Sequence, residues 1–247
     1  MLPGVRETDI PVPDAKNSLW KLNAETIGVY RVAYSPEHLA KLGKAAAQKD
    51  SAFSLEDRVG LVSDAFTLAQ AGYSKTSGGL ALMHALRGDN SSLVNTAAAL
   101  NLGKLASVWW EQPQPVRNAI NRFRADVFGP MARELTFEFG ANDSSELREL
   151  RETVITAAAS AGDTWTIDEI RRRFAPLQEH GDYSLIHPDL LRTVLSQAVK
   201  HGGEAEYETV MGVYRAPPTP AHKTSAMVAL GTCLLYTSDA ADERSSV

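Results

Sequence analysis

The chain has 247 residues, a hydrophobic fraction of 44% and a net charge of −5, values that suit a soluble protein with one large packed domain or two smaller ones. The acidic balance argues against a nucleic-acid partner, no apolar run is long enough to cross a membrane, and the N-terminus lacks the basic and apolar regions of a secretory signal. Cys233 is the single cysteine, which excludes an intrachain disulfide framework. We therefore expect a cytoplasmic protein that binds neither nucleic acid nor a membrane.

Residues 1–34 have the pattern of short β-strands. Thr8, Ile10 and Val12 alternate along a first run, and Trp20 and Val29 lie in two later runs that are separated by residues 23–28. A two-stranded ribbon is only marginally stable in water by itself. The pattern therefore predicts a short β remnant that needs more sheet than this chain supplies.

From Ser35 onwards the pattern is helical. Ser35 followed by Pro36 is a typical helix start, and Ser54 begins a second helix whose apolar residues recur at helical spacing as far as Gly72. The further predicted helices span Thr76–Leu86, Ser91–Trp110, Pro115–Phe128, Ser144–Ala161, Thr166–Phe174, Pro188–His201, Glu204–Tyr214 and Ala221–Leu235. Helix pairs of about 30–45 residues with short connections are typical of stacked antiparallel hairpins. The sequence thus predicts a mainly α fold, organised as a HEAT-like α-solenoid.

The end of the chain departs from the helical pattern. Residues 236–247, YTSDAADERSSV, have no periodic apolar face and look like translated cloning sequence. They follow a helix without a packing partner, where a solenoid normally has a polar capping repeat. We therefore predict three segments, which are the β remnant over residues 1–34, a truncated helical repeat domain over residues 35–235 and a disordered tail over residues 236–247.

Motifs for metal or nucleophilic chemistry do not occur in the sequence. No two of the six histidines lie four residues apart, HExxH is absent, and His180, Asp182 and His187 would make only a contrived loop site. Cys233 lies in the apolar stretch GTCLL, where a thiol is usually inert packing, and GxSxG is absent. The glycine pair at 78–79 lies at a helix boundary rather than in a phosphate-binding loop. We therefore predict no catalytic, cofactor-binding or metal-binding residue in this chain.

Two clusters have a structural interpretation and a binding alternative. The arginines at 171–173 point about 100° apart on a helix, and Asp168 and Glu169 precede them at ion-pair spacing, which favours a solvated face over a partner site. Trp109 and Trp110 are adjacent, so only one of them can face the core. We favour packing between helices for this pair, with a peptide-contacting inner wall as the alternative.

Charged residues near the second helix are candidates for structural pairs. Asp64 lies close to the apolar face of the stretch DRVGLVSDAFTLAQAG, and buried charges are usually paired. Arg31 and Arg58 are its candidate partners. We predict that Arg31, Arg58 and Asp64 are structural, interdomain residues that join the ribbon to the helices, and not acid–base groups.

Two motifs in the first 72 residues resemble those of a known enzyme family. Trp20 directly precedes the pattern K-x-N-x-x-x-x-G-x-Y-R-x-x-Y, and a second pattern reads D-R-x-x-L-x-x-D-x-F-x-L-A-x-A-G. The matching positions are Trp20, Lys21, Asn23, Gly28, Tyr30, Arg31, Tyr34, Asp57, Arg58, Leu61, Asp64, Phe66, Leu68, Ala69, Ala71 and Gly72. Weaker similarity extends to about residue 235. The chain resembles the C-terminal part of zinc aminopeptidases of the puromycin-sensitive (gluzincin) type.

The resemblance implies that residues 1–34 end a small β-sandwich and that the helices begin a bowl over the active site of a longer enzyme. The implied function is that of the substrate-chamber domain of a zinc-dependent aminopeptidase that removes N-terminal residues from peptides. Its implied partners are a peptide substrate on the concave helical face and the catalytic domain of the same polypeptide. The family's HExxH and G-x-M-E-N motifs have no counterpart here, so the resemblance implies zinc in the full-length enzyme, no cofactor in this chain and no activity from the chain alone.

Two other classes of function stay open. A stand-alone α-solenoid that binds a protein or peptide would bury Trp20 and Tyr30 within the chain and would have polar caps at both ends. A small hydrolase that uses Cys233 or a histidine pair has little support. Poor coverage of Trp20 or Tyr30 would favour the enzyme fragment over the stand-alone module.

Overall fold

The computed structural model describes residues 11–15 and 18–233, and this part of the chain is helical and contains no β-strand. The α-helices are α1 Pro36–Ala46, α2 Leu55–Gln70, α3 Thr76–Leu86, α4 Ser92–Val108, α5 Gln114–Leu135, α6 Ser145–Ser160, α7 Thr164–His180, α8 Leu191–His201, α9 Glu204–Arg215 and α10 Pro220–Leu230. Two short 3-10 helices are η1 Ala24–Thr26 and η2 Pro188–Leu190. None of the described helices is long and apolar enough to cross a lipid bilayer. The mainly α class is therefore confirmed.

The chain divides into two compact units, Met1–Leu86 and Arg87–Val247. The first unit contains η1 and α1–α3, and its core consists of apolar side chains of the three helices, such as Leu42, Val62 and Leu82. The N-caps predicted at Ser35 and Ser54 are present, because each hydroxyl accepts the backbone N–H three residues later. The predicted boundaries of the helical domain, at 34/35 and 235/236, stay predictions. The predicted tail over residues 236–247 lies outside the described residues.

The second unit contains α4–α10. Next-but-one helices contact each other, since α4 packs on α6 and α8 packs on α10, and each helix also contacts its neighbour in sequence. The core consists of fully buried side chains on several helices, including Phe128, Ile155, Ile170 and Leu195. Such contacts are what stacked hairpins would make, and the HEAT-like solenoid itself stays a prediction.

Two helices are longer than the sequence pattern predicts, because each continues through a proline. The predictions ended at Phe128 and Phe174, whereas α5 runs through Pro130 and α7 through Pro176. A proline inside a helix removes one backbone hydrogen bond. The residues beyond these prolines, Met131 and Leu177 among them, are buried, and this burial offsets the lost bond.

The β-ribbon predicted for the N-terminal residues is not found in the described part of the chain. Residues 5–10 of that prediction lie outside the described residues, and residues 18–34 contain η1 and irregular backbone instead of strands. Asn23 closes this segment locally, since its side chain accepts the N–H of Gly28 and donates to the carbonyl oxygens of Gly28 and Tyr30. Without partner strands for a ladder, the backbone groups bond to nearby side chains.

Candidate functional site

The best-defined polar site in the first unit is the contact between residues 18–34, here called the N-terminal segment, and helix α2. Asp57 is 7% exposed and receives the Lys21 ammonium at 2.7 Å and the backbone N–H of Glu25 at 2.7 Å on the same carboxylate oxygen, Oδ1. Its other oxygen accepts the N–H of Ser54, which completes the capping box of α2. One carboxylate thus caps the helix and binds the segment.

The environment of Asp57 stabilises its charged form. Burial by itself raises the pKa of the carboxyl, but the hydrogen bonds from Lys21, Glu25 and Ser54 outweigh burial and lower the pKa below its ordinary value. Lys21 also donates to the carbonyl oxygen of Asn23 at 2.7 Å. Lys21 and Asp57 therefore form a buried ion pair whose remaining polar atoms are also bonded.

Asp64, two helical turns after Asp57, binds the other end of the N-terminal segment. Arg31 donates from Nη1 to Asp64 Oδ1 at 2.9 Å and to the Ser63 hydroxyl at 3.1 Å, and the Val32 N–H donates to Asp64 Oδ2 at 3.0 Å. Of the two candidate partners of Asp64, Arg31 makes this ion pair, while Arg58 lies half-buried on α2. The interdomain role of Arg31, Arg58 and Asp64 stays a prediction.

An aromatic cluster fixes the start of the segment against α1. The Trp20 and His38 rings are stacked with centroids 4.2 Å apart, and His38 Nε2 lies 2.8 Å from the Trp20 carbonyl oxygen. The Tyr34 hydroxyl accepts the Leu22 N–H at 3.0 Å, and the Tyr34 ring lies 5.8 Å from that of Trp20. The motif residues between Trp20 and Tyr34 therefore hold an irregular segment against the helices.

At Gly60, a free position of the second motif, the N-terminal segment lies against α2 without room for a side chain. A Cβ atom at Gly60 would lie 2.3 Å from the Thr26 hydroxyl, which donates to the Glu56 carbonyl oxygen. Thr26 itself has a positive φ of 56°, which is unfavourable for a β-branched residue. The sequence patterns therefore did not predict the Asp57–Lys21 ion pair or the close contact at Gly60, although the capping-box spacing from Ser54 to Asp57 was visible.

We expect Gly60→Ala to lower the free energy of unfolding of the first unit by about 1–2 kcal/mol, because the added methyl group must displace Thr26. The matched control is Gly103→Ala on α4, where a Cβ meets nothing within 4 Å. That change should raise stability by about 0.5–1 kcal/mol through helix propensity. Hydrogen exchange of helical amides in both variants measures the difference, and equal effects would contradict the close contact.

In the second unit, buried arginines hold the loop over residues 136–144. Arg173 on α7 is 5% exposed, and its guanidinium pairs with Glu138 and Glu169, donates to the Leu185 carbonyl oxygen at 2.9 Å and lies over the Phe137 ring. The prediction of a solvated face for the whole 171–173 run is therefore wrong for its third residue. Arg171 and Arg172 are exposed and make the expected local pairs.

A cleft of about 260 Å³ lies among α7, α8 and α9. Ile170, Phe174 and Ala198 line it with apolar surface, and Arg171 and Glu206 add charges of both signs. Such a mixed surface can accept an apolar side chain beside polar backbone groups. Trp109 and Trp110 lie elsewhere, with Trp109 partly buried and Trp110 exposed.

The other sequence candidates are not brought together by the fold. His180 is exposed and next to Glu179, whereas His187 stacks on Phe139 with ring centroids 3.7 Å apart. Cys233 is buried. Across residues 11–15 and 18–233 no group of three His, Cys, Asp or Glu side chains could hold a metal ion.

Residues 11–15 and 18–233 thus form a helical fold in which no cluster of three His, Cys, Asp or Glu side chains could hold a metal ion. A family model, the ERAP1-like C-terminal domain, matches residues 19–234. The chain belongs to this family of ERAP1-like C-terminal domains, so the resemblance stated from the sequence motifs is confirmed.

Relatives of known name are aminopeptidases. The chain is 30% identical to Aminopeptidase 2 of Candida albicans over 92% of this chain and 24% of the relative. It is 32% identical to the alanine/arginine aminopeptidase of Saccharomyces cerevisiae, over 86% of this chain and 24% of the relative, and 26% identical to the puromycin-sensitive aminopeptidase of Caenorhabditis elegans, over 85% and 22%. The chain therefore spans about a quarter of the length of the curated relatives it matches.

Proposed function

We propose that this chain is the C-terminal substrate-chamber domain of a zinc-dependent aminopeptidase that removes N-terminal residues from peptides. The observation that carries the proposal is the family match over residues 19–234, together with aminopeptidase relatives that are about four times as long as the matched region. In this role the helices bind and align a peptide and exclude folded proteins, which raises the rate at a reacting centre elsewhere in the enzyme.

The exposed apolar residues of the N-terminal segment support a missing neighbour. Ile27 and Val29 are exposed, and Tyr30 is 57% exposed although it belongs to the first motif. Trp20 is only half covered. A free-standing module would bury such side chains, whereas a fragment leaves them available to the rest of a longer polypeptide.

The zinc and the catalytic groups would belong to that longer polypeptide. The described residues of this chain do not fit a zinc site, because no cluster of three suitable ligands occurs among them. When bound in the whole enzyme, zinc would activate a water molecule for attack on the peptide bond. The contribution of this chain is to hold the substrate through its concave helical face, for which the cleft among α7, α8 and α9 is a candidate contact.

Arg31, Arg58 and Asp64 would fix the orientation of the catalytic domain relative to the helices. The Arg31–Asp64 ion pair joins the N-terminal segment to α2, so a catalytic domain that contacts the segment would be oriented relative to the helices. We also propose a cytoplasmic location for the longer enzyme.

The proposal predicts that the chain restores activity when joined to a catalytic part. In a chimera, residues 19–233 replace the matching region of Aminopeptidase 2 of Candida albicans. We expect this chimera to release N-terminal residues from a peptide, whereas the same relative with the region deleted and the present chain alone do not. Peptide cleavage by the present chain alone, or a folded chimera without activity, would contradict the proposal.

A second measurement tests the docking of the N-terminal segment independently of activity. The N-terminal part of the same relative, expressed separately, should co-purify with the present chain, and Val29→Asp should reduce the recovered amount by at least tenfold. Tyr73→Asp is the matched control, because Tyr73 is an exposed residue of the same unit outside the segment.

The alternative is a stand-alone α-solenoid that binds a protein or peptide. The mixed cleft among α7, α8 and α9 favours this class, because it does not depend on any other part of a longer chain. The co-purification experiment distinguishes the two functions. Peptide binding by the chain without any association with the catalytic part would favour the stand-alone module.

A further inference from the structure

The cleft among α7, α8 and α9 is lined by two side chains with unsatisfied polar atoms. The Gln197 side-chain oxygen and the His201 Nε2 atom are both buried, and within residues 11–15 and 18–233 neither has a hydrogen-bond partner. Both side chains line the cleft. Buried polar groups are almost always bonded, because a group without a partner costs free energy. The two atoms therefore indicate a ligand that the cleft binds.

Gln197 and His201 face the cleft together because they lie four residues apart on α8, and residues at this spacing share one helix face. Gln197 is 7% exposed. Its side-chain nitrogen donates to the Ser160 hydroxyl at 3.5 Å, whereas its oxygen is left over. The terminal torsion of a glutamine side chain has a broad energy minimum. The oxygen can therefore turn towards a ligand in the cleft.

The charges around the cleft favour a neutral ligand. Burial lowers the pKa of the His201 ring, and the charges of Lys200 and Arg171 lower it further, so the imidazole is uncharged at neutral pH. Among the other cleft residues, Arg171 is positive and Glu206 is negative. The Glu206 carboxylate already accepts the Gly203 N–H at 2.6 Å, which lowers its pKa. A charged ligand would therefore meet no surplus of opposite charge.

The size and the apolar wall of the cleft suit an aromatic ring. Ile167, Ile170, Phe174 and Ala198 provide the apolar surface, and the volume is about 260 Å³. A cavity of about 150 Å³ is enough to hold benzene, so this cleft has room for a bicyclic ring. A ring with one N–H or O–H combines an apolar body with a single polar group. That combination matches an apolar wall with an unpaired acceptor.

We propose that the cleft binds a neutral aromatic ring with one hydrogen-bond donor, an indole or a phenol, and that the Gln197 side-chain oxygen accepts from it. The ring belongs to a free small molecule or to a tryptophan or tyrosine side chain of a peptide. As a preference for such peptides, the inference rests on the proposed function. Its test measures binding to this chain and not peptide cleavage, so the two proposals can fail separately.

Isothermal titration calorimetry of the full chain with three rings of nearly the same shape tests the site. Indole has an N–H donor, indene has no polar atom, and benzofuran has only an acceptor oxygen. We expect indole to bind at least about fivefold more tightly than the other two, because only indole satisfies the Gln197 oxygen. Absence of indole binding, equal affinities for the three rings or a preference for benzofuran would overturn the proposal.

Gln197→Met places the indole in the cleft, because it removes the side-chain oxygen and keeps the length of the side chain. We expect this variant to bind indole and indene with about equal affinity. Gln112→Met is the matched control, since Gln112 is an exposed glutamine of the same unit, and it should keep the preference for indole. An unchanged preference in Gln197→Met would mean that indole binds elsewhere, which overturns the proposal.

The stability of Gln197→Met without any ligand provides an independent readout. Because the change removes a buried acceptor that has no partner, the Tm of the variant should equal or exceed that of the unmodified chain. A clear fall in Tm would mean that the oxygen already has a partner within the chain. The cleft would then lack an unpaired acceptor, and the proposal would be overturned.

A fourth ligand identifies the source of the ring. N-acetyltryptophanamide carries the indole on a peptide unit, and it is titrated into the full chain and into Gln197→Met. Binding at least as tight as that of indole, with the same dependence on Gln197, supports the site with a peptide side chain as its ligand. Binding of indole without binding of N-acetyltryptophanamide supports the site with a free small molecule as its ligand.

Discussion

Replacement of Arg173 by methionine is expected to lower the free energy of unfolding of the second unit by about 2–4 kcal/mol. The change keeps much of the side-chain volume, but it leaves the Glu169 carboxylate and the Leu185 carbonyl oxygen without their buried donor. It also removes the guanidinium from the face of the Phe137 ring. Urea unfolding followed by circular dichroism measures the loss.

Arg172→Met is the matched control for this prediction. Arg172 precedes Arg173 and pairs with the same glutamate, yet it lies in solvent. A solvent-exposed pair contributes about 0–1 kcal/mol, so the control should lose at most this amount. If the two variants lose equal stability, burial of Arg173 does not decide its contribution, and the interpretation of the 136–144 loop contacts is wrong.

Lys21→Met is expected to lower the stability of the first unit by about 3–5 kcal/mol, because it leaves the Asp57 carboxylate buried without its cation. The hydrogen bonds from Glu25 and Ser54 remain and keep the loss within this range. Trp20 directly precedes Lys21, so its fluorescence reports release of the N-terminal segment. Lys44→Met, on the exposed side of α1, is the control and should change stability by about 0.5 kcal/mol or less.

The pH dependence of the same variant gives a second readout. Burial raises the pKa of Asp57, but the Lys21 ammonium and the N–H donors lower it more, so the folded-state pKa lies below the unfolded value of about 3.9. The unfolded state then binds more protons than the folded state as the pH falls, so the contribution of Asp57 is present above the unfolded pKa and is lost as the pH falls through the folded pKa. This acid-induced loss should be smaller in Lys21→Met, and an unchanged profile would contradict the pair.

Some of the helices could be read from local chemistry. Ser35 and Ser54 cap their helices as the sequence patterns indicate, because a hydroxyl directly before a helix satisfies a free N–H without help from distant residues. The two motifs also identified the family correctly. The extension of α5 through Pro130 could not be read in this way, since it depends on burial of Met131 by other helices.

The candidate sites depend more strongly on the tertiary structure. Asp64 could be recognised as a residue in need of a partner, but the choice of Arg31 requires the path of the N-terminal segment across α2. Asp57 could be recognised as a capping residue, but its ion pair with Lys21 joins residues that are far apart along the chain. The cleft among α7, α8 and α9 likewise has no signal in any single stretch of sequence.

The sequence by itself determined the helical class, the first caps and the family, because these depend on periodicity, local hydrogen bonding and short motifs. Only the tertiary structure decided which of three consecutive arginines is buried and how residues 18–34 are bound. The physical reason is that the free energy of a charge depends on its solvation and on its partners. Both are set by residues that are distant in the sequence and adjacent in the fold.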